Sequence, residues 1–176
     1  PEIAIGTDII VGFAGETPEQ FEKTVKLYEA VRFDISYTAR YSVRSGTAAA
    51  KAFKDDVSLE EKKRRWNVLQ EIQERIVLEK NQAYAMLTKV HPGEKKSAEK
   101  TLSVLVDRHE PPKITDEMLT MPEKIQETMA AQPGFCYGNS REMKLVRFSG
   151  REDLVGKIVD VKIVKADMWI LEAEKI

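Results

Sequence analysis

The 176 residues carry 28 lysines and arginines against 29 acids, with 42% apolar residues, 32% charged residues and one cysteine. That length buries one good core or two small ones. The formal charge of -1 argues against a chain that binds polyanions over its whole surface. A lone cysteine excludes an internal disulfide, and a cysteine-ligated cluster or zinc site built from this chain alone.

Ile3 to Val11 forms a nearly continuous apolar run, the pattern of a strand covered on both faces. Thr17, Pro18 and Gln20 supply an N-cap, a first helical residue and a capping box. Phe21, Val25, Tyr28 and Val31 then recur at helical spacing, and Phe33 to Tyr41 reads as a second strand. Strand, helix and strand within about 40 residues make a βαβ unit with parallel strands. Ligands on such sheets gather at the strands' carboxyl ends, here Gly12 and Ser42.

Ser45 to Phe53 predicts a turn and a short helix. Ser58 and Glu61 predict a second capping box, opening a charged helix to about Lys80 with Leu59, Trp66, Leu69, Ile72 and Ile76 on one side. Pro92 to Lys96 reads as a loop or linker, Leu102 to Val106 as a strand, and Ile114 to Met129 as a helix after Pro111-Pro112. From Phe135 onward come short β-like runs: Leu145 to Phe148, Lys157 to Val164, Trp169 to Ala173. They predict a small β-barrel with a helical insertion. Between Arg141 and Lys165 seven basic residues face four acids, a local excess that suits phosphate contacts or a solvated charged face.

The segment "IGTDIIVGFAGET" ends its strand in a glycine turn. No lysine follows as a phosphate loop requires, and Glu16 would repel a phosphate. Two readings stay open: a strand edge lying flat against a base, or a tight turn with no ligand. In "RYSVRSGTAAA", Tyr41 could stack on a base and Arg44 could meet a carboxylate or phosphate, although each is a common loop residue. His91 and His109 stand alone, with no partner at metal-ligand spacing.

Taken in order, "TDIIVGFAGET", "VRFDISYTARYSVRSGTAAA" and "LEEKKRRWNVLQEIQERIVLEKNQ" resemble the closing part of the radical-SAM methylthiotransferases. The family pattern is close to T-D-I-I-V-G-F-P-G-E-T and Y-S-x-R-x-G-T-x-A. The likeness resumes at "YGNSREMKLVRFSGREDLVGKIVDVKIVKADMWILEAE", which is similar to the family's C-terminal TRAM domain, a small RNA-binding β-barrel. Ala14, Val43 and Ser45 replace prolines, and Met143 replaces the usual asparagine. Residues 110–133 have no clear counterpart and look like an insertion. The spacing is most like the branch of the family that acts on isopentenyl-modified adenosine in tRNA.

The resemblance implies an α/β fold: residues 1–82 would end a (β/α) radical-SAM barrel, and residues 83–176 would form a TRAM-like barrel with an insertion at about 110–133. It implies S-adenosylmethionine near Ile10, Gly12, Phe13, Tyr41, Ser42 and Arg44, and RNA at Arg141, Lys144, Arg147 and Phe148, with Tyr137 as a second aromatic for stacking. The family's chemistry cleaves S-adenosylmethionine reductively to an adenosyl radical and delivers sulfur from an auxiliary cluster. It needs two 4Fe–4S clusters whose cysteines this chain lacks, Cys136 reading as a buried small hydrophobe. The first ten residues carry no basic cluster of a signal peptide, and the chain opens at Pro1 with a strand pattern almost at once, so a piece of a longer enzyme is expected, inactive alone. The expected setting is cytoplasmic and off the membrane, as a monomer with tRNA and a sulfur donor as partners. Other readings are a family member acting on threonylcarbamoyl-adenosine tRNA or on a ribosomal protein, or a non-catalytic RNA-binding protein.

Overall fold

A computed structural model describes residues 3–86, 101–113, 115 and 120–176, except the side chains of residues 85, 86, 126, 129 and 130. The expected linker Pro92–Lys96, His91 and most of the first half of the helix read from Ile114 lie outside the described residues. The chain divides into two compact units, Pro1–Val77 and Leu78–Ile176.

In the first unit, strands β1 (Gly6–Val11) and β2 (Ile35–Arg40) pair in parallel, from Gly6 opposite Ile35 to Val11 opposite Arg40. Helix α1 (Pro18–Val31) makes the crossover. Its capping box forms as the sequence predicts: Thr17 Oγ1 accepts from Gln20 N–H, and the Gln20 side chain accepts from Thr17 N–H at 2.9 Å. Helix α2 (Ala48–Ala52) is short and capped by Thr47. Helix α3 (Leu59–Met86) runs past the expected end at Lys80. Ser58 Oγ accepts from Glu61 N–H, but the Glu61 carboxylate turns to Arg64 and Arg65.

Both long helices pack on the same face of the two strands. Val11, Phe21, Tyr28, Phe33, Leu69 and Ile76 form the core, with Ile9 and Trp66 packed against it. The Trp66 indole N–H donates to Thr38 O at 2.9 Å, and the Gln73 amide donates to Phe33 O at 3.2 Å. This corrects the expectation that β1 is covered on both faces. Thr7, Ile9 and Val11 turn toward the helices, whereas Asp8 and Ile10 are exposed, because among the described residues no helix covers their side. Leu59 is likewise exposed rather than part of the α3 stripe.

In the second unit, β3 (Thr101–Glu110), β4 (Gly134–Ser140), β5 (Leu145–Gly150), β6 (Ile158–Ala166) and β7 (Leu171–Lys175) close into a barrel of order β3-β4-β5-β7-β6. Every pairing is antiparallel except β5 with β7. Helix α4 (Glu123–Ala130) lies between β3 and β4, where an insertion is expected. Val104, Val106, Val146, Phe148, Val161, Ile163 and Leu171 fill the interior together with Cys136. Leu154, from a single 3-10 turn at Glu152–Leu154, adds to that core. Gly138 has to be glycine: a Cβ there would stand 2.1 Å from Leu105 O across the strand pair.

Candidate functional site

The loops after β1 and β2 meet, as the sequence expects. Tyr41 N–H donates to Val11 O at 2.9 Å, and the Phe13 and Tyr41 rings lie 4.7 Å apart. Phe53, which the sequence reading did not single out, packs its ring 6.1 Å from Phe13. Ile10 and Phe13 are exposed, as are Ser42 and Arg44. The uncovered sheet face carries exposed Ile10 and Tyr37, with Asp8 and Tyr37 side by side in register, and the aromatic cluster lies just beyond the strand ends.

Buried charges from α3 hold this border in place. The Lys62 side chain is 1% exposed, its ammonium bound to both Asp55 oxygens at 2.6 and 2.7 Å and 5.3 Å from the Tyr41 ring centre. Its stem fills the space a side chain at Gly12 would need: a Cβ there would come 2.3 Å from Lys62 Cγ. With φ at +69°, Gly12 is required twice over, for conformation and for space. Its N–H donates to Glu16 Oε2 at 2.5 Å, and Arg65 Nη1 holds the same oxygen at 2.6 Å. A carboxylate of the chain therefore occupies the Gly12 N–H, in keeping with the absence of a phosphate-loop lysine from the sequence. Gly15 N–H is taken by Asp56 at 2.7 Å.

Arg65 continues the network to Glu61, whose carboxyl falls from 4.5 to about 2 through hydrogen bonds from Arg64 and then Arg65. Burial works against the Arg65 charge, but Glu61 and Glu16 outweigh it and raise its pKa. Such pairs stabilise where their hydrogen bonds are complete, and the loss of one partner leaves a charge stranded.

On the barrel, the candidate RNA residues separate. Arg141 is exposed in the β4–β5 turn. Lys144 is only 4% exposed, its ammonium 5.7 Å from the Tyr84 ring centre. Arg147 is half-buried, donating to Glu172 Oε1 at 2.5 Å and standing 5.0 Å from the Phe135 ring centre. Phe148 is corrected by the fold: at 1% exposure inside the barrel core it offers no face to a base. The period of a strand explains it, because Lys144, Val146 and Phe148 share one side and Val146 is core. Phe135, 48% exposed, was missed although it alternates with buried Cys136 in the same way. Tyr137 is half-buried, under the Arg108 guanidinium at 4.3 Å.

Burial pushes the Cys136 thiol up, as suits an inert core residue. Among the described residues no group of three histidines, cysteines or acids is placed to hold a metal ion, and no helix is long and apolar enough to cross a membrane.

No family model matches the chain. Curated relatives do. A Clostridium botulinum protein named tRNA-2-methylthio-N(6)-dimethylallyladenosine synthase is 39% identical over 176 residues, all of this chain and 32% of that protein. Proteins of the same name from Geobacillus kaustophilus and Bacillus cereus are each 37% identical over 174 residues, 99% of this chain and 27% and 28% of theirs. The chain spans 27% to 32% of the length of these curated relatives. The family resemblance carried by the motifs therefore extends from one end of the chain to the other.

Proposed function

Starting from a chain that is, along its whole length, a relative of these methylthiotransferases, we propose that it is the C-terminal portion of a tRNA-modifying enzyme. The parent adds a methylthio group at C2 of an isopentenyl-modified adenosine beside the anticodon. The single observation that carries this reading is the full-length similarity at 39% identity. The separation into a parallel βαβ unit and a closed five-stranded barrel supports it, since the family resemblance assigns a (β/α) barrel end to the first and a TRAM-like RNA-binding barrel to the second.

In the first unit Ile10, Gly12, Phe13, Tyr41, Ser42 and Arg44 would line the S-adenosylmethionine site. They fit the group: exposed apolar and aromatic surface stands beside strand ends, and the cation Arg44 is available for a carboxylate. S-adenosylmethionine would supply the adenosyl group that abstracts hydrogen. The residues of this chain would orient it: Tyr41 and Phe13 offer ring faces, and the Lys62–Asp55 pair fixes them from behind. The described residues do not fit an iron–sulfur cluster, because Cys136 is closed inside the barrel and no other cysteine exists. The cluster ligands are assigned to other parts of the parent, so the chain alone is expected to be inactive.

In the second unit, Arg141 is the candidate for a phosphate contact; Lys144 is buried against Tyr84 and Arg147 is paired with Glu172, so neither charge is offered to a phosphate. The parent is proposed to act as a soluble, cytoplasmic monomer that receives its sulfur from a donor.

Two experiments test this. First, the parent gene is expressed in a strain lacking the modification, and its tRNA nucleosides are analysed by mass spectrometry. The 2-methylthio derivative of isopentenyladenosine is expected; a modified threonylcarbamoyladenosine, or no product, overturns the assignment. Second, Arg141→Ala should lower the salt slope of RNA binding by about 1, as the loss of one phosphate contact does.

A further inference from the structure

The outward face of the barrel carries an unbroken row of paired side chains across all five strands. In register, Arg108 on β3 stands opposite Tyr137 on β4, Tyr137 opposite Arg147 on β5, Arg147 opposite Glu172 on β7, and Glu172 opposite Lys165 on β6. These side chains are linked. Tyr137 Oη donates to Glu110 Oε2 at 2.9 Å, and hydrogen bonds to Tyr137 and then Glu172 hold the Arg147 charge. Lys165 Nζ lies 3.1 Å from Asp167 and 3.8 Å from Glu172. Guanidinium planes stand over two aromatic rings, Arg108 over Tyr137 and Arg147 over Phe135.

Two properties of this row decide what it suits. Its three cations, Arg108, Arg147 and Lys165, each pair with an acid among Glu110, Glu172 and Asp167, so the row is close to neutral. A neutral row attracts phosphates weakly. It does offer stacking faces, guanidinium planes and carboxylate acceptors, the groups that recognise unpaired bases by ring face and edge. Phe135 is the exposed aromatic ring, left at the surface beside Arg147.

We propose that the row Arg108–Tyr137–Arg147–Glu172–Lys165, with Phe135 as its stacking platform, reads the bases of a single-stranded RNA loop. Phosphate attraction comes from outside the row, at Arg141. The proposal rests on the RNA-docking reading of the barrel and deepens it. The two make different demands: phosphate docking predicts a salt slope and tolerance of duplex, whereas the row predicts a preference for unpaired bases with little salt dependence of its own.

The test is fluorescence anisotropy of this chain with a labelled RNA hairpin carrying an unpaired loop, and with a fully paired duplex of the same composition. The unaltered chain is expected to prefer the hairpin. Phe135→Ala should weaken hairpin binding about 5- to 150-fold, the range for loss of one base–aromatic stack, with the salt slope unchanged. Phe135→Trp should restore affinity, and an unaltered thermal transition in both variants shows that the barrel stays folded.

If the chain binds both RNAs and Phe135→Ala binds each as before, RNA docking stands and the base-reading row is overturned. If the unaltered chain binds neither RNA, both readings fall. If Phe135→Ala leaves RNA affinity alone but changes the sedimentation coefficient, the row packs a second copy of the chain and the proposal is overturned.

Discussion

The two sheets solve the same problem in opposite ways. The barrel closes on itself, so every strand is paired on both sides and its interior is filled by side chains. Among the described residues the β1–β2 sheet has one covered face, one bare face and two open edges. The barrel is held by its closed ladder of strand pairings and its apolar interior. The ends of the open sheet are instead held by buried ion pairs from α3: Lys62 with Asp55, and Arg65 with Glu16 and Glu61. A closed fold can expose a neutral, hydrogen-bonded outer row without endangering its core, whereas this open sheet has internal charges holding the loops at its strand ends.

The largest effect should come from the barrel core. Phe148→Ala should destabilise the second unit by about 3–5 kcal/mol, the usual cost of emptying a buried aromatic site. The buried Cys136 thiol reports it directly: alkylation in native buffer should be slow in the unaltered chain and fast in the variant. The sheet unit should keep its own transition, followed through Trp66 fluorescence in a Trp169→Phe background. If both units lose stability together, the comparison of two separately built cores fails.

Next comes Gly12→Ala, expected to cost about 2–4 kcal/mol in the sheet unit, of which about 1–2 is the left-handed backbone. The remainder is the collision with the Lys62 stem, so Gly12→Ala and Lys62→Ala together should be milder than their sum by about 1 kcal/mol. Additive effects in denaturant unfolding would show that Lys62 does not fill that space.

Acid should also separate the two units. The Glu61 carboxyl titrates below its ordinary 4.5, at about 2, because Arg64 and Arg65 hold it ionised in the fold. Its stabilisation is complete above about 4.5 and fades as pH falls toward 2. Glu61→Gln should flatten that acid loss in the sheet unit, read from unfolding midpoints across the window, and leave the barrel's acid response alone.

The smallest effect is a gain. Met143 adopts φ of +56° in the β4–β5 turn, a conformation asparagine tolerates better. Met143→Asn should raise barrel stability by about 0.5–1 kcal/mol in thermal unfolding.

Much of this was legible locally. Thr17, Pro18 and Gln20 announced α1, and the Phe21–Tyr28 spacing gave its buried face. The short β-runs announced the barrel, although β4 was not singled out as a separate strand and β3 extends to Glu110, past its expected end at Val106. The meeting of Phe13 with Tyr41 followed from parallel strand ends. The buried charges were harder to read. Lys62, Arg65, Leu69 and Ile76 share the buried side of α3, but a lysine and an arginine there look like solvated residues until Asp55 and Glu16, both from outside the helix, meet them. Leu59 misled because it is apolar at the helix start, before the packing surface begins. Phe148 misled because aromatic identity was weighed above strand alternation, which places it beside Val146 inside the barrel.

The most direct test of the central claim is hydrogen–deuterium exchange of the parent protein, measured alone, with S-adenosylmethionine, and with a tRNA anticodon stem-loop. The expected result is two separate footprints. The cofactor should protect residues 10–13 and 41–44, and the RNA should protect residues 135–147. Protection of the barrel by the cofactor, or of neither segment by its assigned ligand, would contradict the assignment of one surface to each unit.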